Sequence, residues 1–107
     1  MEYTFIPDLV AESKMPEKGI LSNVLHKDES SNITLFGFSA GQELSAHSAP
    51  TPAILYFLEG EAEVQLGEDT VQAKGGSFVF MPPMLPHGIT AKTAIKLLLI
   101  QIKAIER

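Results

Sequence analysis

Glu61-Ala62-Glu63-Val64-Gln65-Leu66 alternates polar and apolar residues, and Gly67-Glu68-Asp69 then leads into Thr70-Val71-Gln72-Ala73. Alternation with a period of two is the pattern of a strand with one face on a core and one in water. The glycine-led connection, taken as three residues, predicts a β-hairpin between the two runs. Working outward, Lys74-Gly75-Gly76 reads as the next turn, and the prolines of Pro82-Pro83-Met84-Leu85-Pro86 exclude a strand interior. Further strands are predicted at Ile20–Lys27, Ile33–Ser39, Glu43–His47, Ala53–Glu59, Phe78–Met81, His87–Ala91 and Ile95–Ile102. The last of these is apolar on both faces over part of its length. It either lies between the contents of two sheets or meets another subunit.

The chain has 107 residues, 45% hydrophobic and 20% charged, the composition of one globular domain. Residues 1–19 are polar and broken by Pro7, Pro16 and Gly19, which predicts an N-terminal extension ahead of a barrel over 20–107. Asp8 is a candidate N-cap for a helical turn or two reaching Lys14; the segment could equally lie extended along a partner. Thirteen acidic and eight basic side chains give a net charge of -5, which argues against nucleic-acid and anionic-membrane surfaces. Without cysteine there is no disulfide, thiolate nucleophile or cysteine-ligated metal. The N-terminus is not that of a secretory signal, and Leu97–Ile100 is far short of the ~20 residues that span a bilayer, so a cytoplasmic protein is expected.

Many short strands within one domain give either a sandwich or a small barrel. The Cys…Trp…Cys arrangement of immunoglobulin-like sandwiches is absent. Two blocks favour the barrel. One has Gly41, five residues, His47, then Ala49, Ala53, six residues and Gly60. The other has Gly76, five residues, Pro82, Met84, two residues and His87. Together they resemble the two motifs of the cupin superfamily over roughly residues 33–102. The resemblance implies an all-β double-stranded β-helix, or jelly roll, in a single domain. It also implies a metal held by two histidines and a glutamate of the first motif and a histidine of the second. His47 and His87 match that set. Ala49 replaces the other histidine, Ala53 the glutamate, Met84 a glycine and Ala91 an asparagine.

Two neutral imidazoles make half of a transition-metal site, since such ions normally take three or four protein ligands. A divalent zinc, nickel, iron or manganese ion would need help. Glu43, four residues before His47 and so on its face in a regular strand, is the candidate third ligand; Gln42, Tyr56 and His26 are further candidates by type. By the same alternation Ala53, Leu55 and Phe57 face the cavity, joined by Ala49, Met84 and the aromatic rings of Phe78 and Phe80. The methyl groups at 49 and 53 make the pocket apolar, with two histidines to orient a ligand. A filled core remains the alternative.

Three function classes fit. One is a small metal-dependent or histidine-based enzyme, of oxygenase or isomerase type, acting on a small polar metabolite. The second is a module that binds a small molecule without turnover. The third is a self-associating barrel with a vestigial cavity. A homodimer is expected, through the Ile95–Ile102 strand and the N-terminal extension.

Overall fold

The structure, a computed structural model, describes residues 1–103, so the last four positions of the expected barrel segment lie outside it. One helical turn, α1 (Leu9–Glu12), precedes the strands β1 (Ile20–Lys27), β2 (Ser31–Phe38), β3 (Glu43–His47), β4 (Ala53–Glu59), β5 (Glu61–Leu66), β6 (Asp69–Lys74), β7 (Phe78–Met81), β8 (His87–Ala91) and β9 (Ile95–Ile102). Asp8 caps α1, its carboxylate accepting from the Ala11 N–H at 3.1 Å. The β5–β6 turn is tighter than the sequence predicts. Leu66 pairs with Asp69, so only Gly67 and Glu68 are unpaired. Gly67 takes φ +63, the left-handed value a two-residue hairpin asks of its first residue.

The strands form two antiparallel sheets, β1-β2-β9-β4-β7 and β3-β8-β5-β6, a jelly roll closed around one core. That core holds Phe38, Leu55, Phe57, Val64, Ile95 and Leu97, with Ala62, Ala73 and Ala91 where the sheets approach closely. Alternation explains the inward sets: Ala62 and Val64 on β5, and Ala53, Leu55 and Phe57 on β4. Burying one large apolar side chain contributes about 1.5–3 kcal/mol, so these residues dominate the stability.

Two expectations are corrected here. β9 does not offer an edge to a partner, because it lies between β2 and β4 and pairs with both. It is apolar on both faces because Leu97 and Leu99 point inward while Leu98 lies under the N-terminal segment. Phe78 and Phe80 do not face the cavity either. β7 pairs with β4 so that Met81 opposes Ala53 and Val79 opposes Leu55, which turns both phenylalanines outward beside Tyr56 and Ile54. They are 63% and 53% exposed.

Candidate functional site

His47 ends β3 and His87 begins β8, and the two are direct cross-strand partners. Their ring centroids stand 4.4 Å apart with the planes inclined by 54°. The imidazoles are held in the same way. Nδ1 of His47 lies 3.0 Å from the Ser45 carbonyl oxygen, and Nδ1 of His87 lies 2.9 Å from that of Leu85. A carbonyl only accepts, so each Nδ1 is the donor, and in its neutral form each ring keeps its lone pair on Nε2. The sequence therefore presents two fixed acceptors side by side at the barrel mouth.

The pair separates two cavities of about 50 Å³ each. Ala49, Thr51, Ala53, Met81 and Gln101 line one of them. Phe36, Phe38, Leu44, Leu55, Leu97 and Leu99 line the other, which is almost wholly apolar. Of the expected pocket residues, Ala49, Ala53 and Leu55 line these spaces, while Phe57 is sealed in the core beyond them. Met84 is 60% exposed and lines neither. Sequence reasoning missed Phe36, Phe38, Leu44, Thr51, Met81, Leu97, Leu99 and Gln101. Alternation along β9 was the available signal for the last three, since Leu97, Leu99 and Gln101 share a face.

Glu43 is displaced by a β-bulge. Leu44 pairs with Ile89 and His47 with His87, so Ser45 and Ala46 together oppose Gly88. The extra residue reverses the parity of the strand. Leu44 shares the inward face with His47, and Glu43 opposes Thr90 on the outer face, near Glu63. Gly88 accommodates the bulge: a Cβ there would lie 3.1 Å from the Leu44 oxygen. His26 is engaged elsewhere, its Nε2 2.7 Å from Asp28 Oδ2. That contact, with the N–H groups of Ser30 and Ser31, holds the Asp28 carboxyl down at about 2. Tyr56 faces outward on β4, and Gln42 lines neither cavity.

The jelly roll of this motif type implies a metal, and the histidine separation suits one. Two imidazoles sharing an ion about 2.1 Å from each nitrogen place their centroids roughly 4.5 Å apart when they are cis. The donor set does not complete the site. Among the described residues no group of three or more His, Cys, Asp or Glu side chains comes together. Methyl groups at Ala49 and Ala53 occupy the other two motif positions, and among the described residues no carboxylate lines this space to offset a divalent ion. The described residues do not fit a resident transition metal.

Met84 stands where the second motif has glycine, and it takes φ +70 while its N–H donates to the Ala49 oxygen at 2.7 Å. The left-handed conformation costs a side chain roughly 1–2 kcal/mol. Glycine gives part of this back through the entropy of the unfolded chain. Met84→Gly is expected to stabilise the protein by about 0.5–1 kcal/mol, read as a higher urea midpoint; an unchanged or lower midpoint would show that Met84 is not strained.

The Cupin domain model matches residues 34–101. A conserved protein of unknown function from Streptococcus pyogenes is similar at 30% identity with a TM-score of 0.88, over 99% of this chain and 93% of its own. A cupin 2 conserved barrel domain protein from Leptotrichia buccalis is similar at 26% identity and a TM-score of 0.82, over 88% of this chain and 46% of its own. DMSP lyase from Ruegeria pomeroyi, at 23% identity and a TM-score of 0.73 over 83% of this chain and 49% of its own, shares the fold alone. No curated protein matches significantly. The nine-stranded jelly roll, its two motif blocks and a family match that takes in both histidines together place this chain in the cupin domain family.

Proposed function

We propose that this barrel binds a compact, neutral organic molecule through the His47–His87 pair, without turning it over. A hydroxyl or amide N–H of the ligand donates to Nε2, and its apolar part lies against Leu55, Leu97 and Leu99. The observation that carries this reading is the pair of imidazoles with Nδ1 fixed by carbonyls, standing between two small and mostly apolar cavities. A space of about 50 Å³ takes a few water-sized groups, which bounds the ligand to a few heavy atoms per cavity. Binding is favoured over catalysis because, among the described residues, no carboxylate or amine lines either cavity. The two rings also share one hydrogen-bonding pattern, whereas acid and base roles need environments that differ.

Titration of ¹⁵N-labelled protein with short-chain alcohols and amides tests this. Nε2 of His47 and His87 is expected to shift saturably, with His26 as the internal control. His47→Ala is expected to weaken binding by about tenfold or more, or 1.4 kcal/mol. Equal shifts at all three histidines, or none, would overturn the proposal.

A further inference from the structure

Gln101 lines the same cavity of about 50 Å³ as both histidines. It lies near the end of β9, opposite Asn32 on one side and Ala53 on the other. With only a methyl group at Ala53, the polar side chains that share this cavity with the histidines, among the described residues, are those of Gln101 and Thr51. Asn32 holds the glutamine. Its Nδ2 donates to Gln101 Oε1 at 3.2 Å, which presents the Gln101 Nε2 amino group as the donor left for a ligand.

Asn32 gives up a hydrogen bond in this arrangement. Its Oδ1 is buried without a partner, one of two such side-chain atoms among the described residues. An unpaired buried acceptor is costly, and native structures keep few of them. Orienting Gln101 accounts for this one.

The cavity therefore offers two acceptors, Nε2 of His47 and Nε2 of His87, and one oriented donor, Nε2 of Gln101. We infer that the molecule held by the histidine pair is a small primary carboxamide. Its NH₂ group donates to the two imidazoles and its carbonyl oxygen accepts from Gln101. This rests on the pair being a binding site and names what that site selects. Two N–H bonds 120° apart reach acceptors roughly 5 Å from each other at ordinary hydrogen-bond lengths, comparable with the 4.4 Å between the ring centroids. An alcohol has one O–H and satisfies one ring. A carboxylate brings only lone pairs to the lone pairs of two neutral imidazoles. A tertiary amide keeps the carbonyl and loses both donors. The small space favours a head group of a few heavy atoms, such as acetamide.

Titration of the ¹⁵N-labelled intact chain with acetamide, ethanol, acetate and N,N-dimethylacetamide tests this, at a pH of about 8 where an ordinary imidazole is neutral. Acetamide is expected to shift Nε2 of both histidines saturably and to bind about tenfold tighter than ethanol. Acetate and N,N-dimethylacetamide are expected to bind more weakly than ethanol. Gln101→Glu keeps an acceptor for Asn32 and removes the donor, while Gln101→Met keeps the length of the side chain and removes both. Acetamide's advantage over ethanol is expected to disappear in each, and to shrink in Asn32→Leu, where Gln101 is free to turn. The readout is a ratio of two ligands within one variant, so a general loosening of the barrel does not imitate it. Equal affinities for acetamide and ethanol in the parent chain, or an advantage that survives both substitutions at Gln101, would overturn the inference and leave binding by the histidines standing. Failure of every ligand to shift the two histidines would overturn both.

Discussion

Ala49→His combined with Ala53→Glu is expected to convert a chain that holds no zinc or nickel after dialysis into one that binds either stoichiometrically. Both positions line one cavity with His47 and His87, so the added imidazole and carboxylate enter the space the existing rings share. Three nitrogens and one oxygen make a four-coordinate set. The anchored Nδ1–H groups already supply the outer support such ligands need. Without metal the double variant is expected to be less stable than its parent, because position 53 is 7% exposed and a lone carboxylate there is desolvated. With metal a thousandfold above Kd, linkage restores about 4 kcal/mol, roughly 15 °C or more in Tm for a domain of this size. Elemental analysis and a metal-dependent Tm read the result. Stoichiometric metal in the untagged parent chain would show that the two histidines suffice to hold an ion. A double variant that folds and takes up none would mean that the two rings do not aim at a common point.

Gly60→Ala is expected to cost about 3–4 kcal/mol, the sum of strain and overlap that single substitutions reach only in tight places. Gly60 has φ +93 between β4 and β5, and a methyl there would overlap the Ala94 carbonyl oxygen and stand 2.9 Å from Ile95 Cα. Ile95 is fully buried and has no room to withdraw. Gly76 separates the two causes. Its φ is +96, yet a Cβ would meet nothing within 4 Å, so Gly76→Ala should cost only the roughly 1–2 kcal/mol of the left-handed conformation. Urea unfolding of the pair decides the matter. Equal losses would show that backbone strain alone acts at both positions, and that the approach of Ala94 is not limiting.

Much of the barrel was legible because its information is local. Seven of the strands have the bounds that turn residues and alternation predict, and β2 and β6 differ only at their ends. Asp8 announces α1 by its residue type. The histidine pair was legible only through the spacing of two motif blocks, since nothing local about His47 points to His87. Their closeness comes from the β3–β8 pairing, which brings together residues forty positions apart.

Alternation fails where parity is broken or carries no contrast. Counting four residues to His47 puts Glu43 on the inward face, and the bulge at Ser45 and Ala46 reverses it. Phe78-Val79-Phe80-Met81 is apolar at every position, so its sequence does not distinguish one face from the other. The choice fell to pairing with β4, which put Met81 opposite Ala53 and the two phenylalanines outside.

From its residues alone this chain specifies antiparallel strands, one domain and a first motif lacking two of its ligands, because composition and period are properties of neighbours in sequence. Which side chains enter the barrel, how little space they leave and which apolar surface is bare are set by strand register and the bulge. Those depend on contacts between segments far apart in the chain, and a shift of one residue exchanges inside for outside.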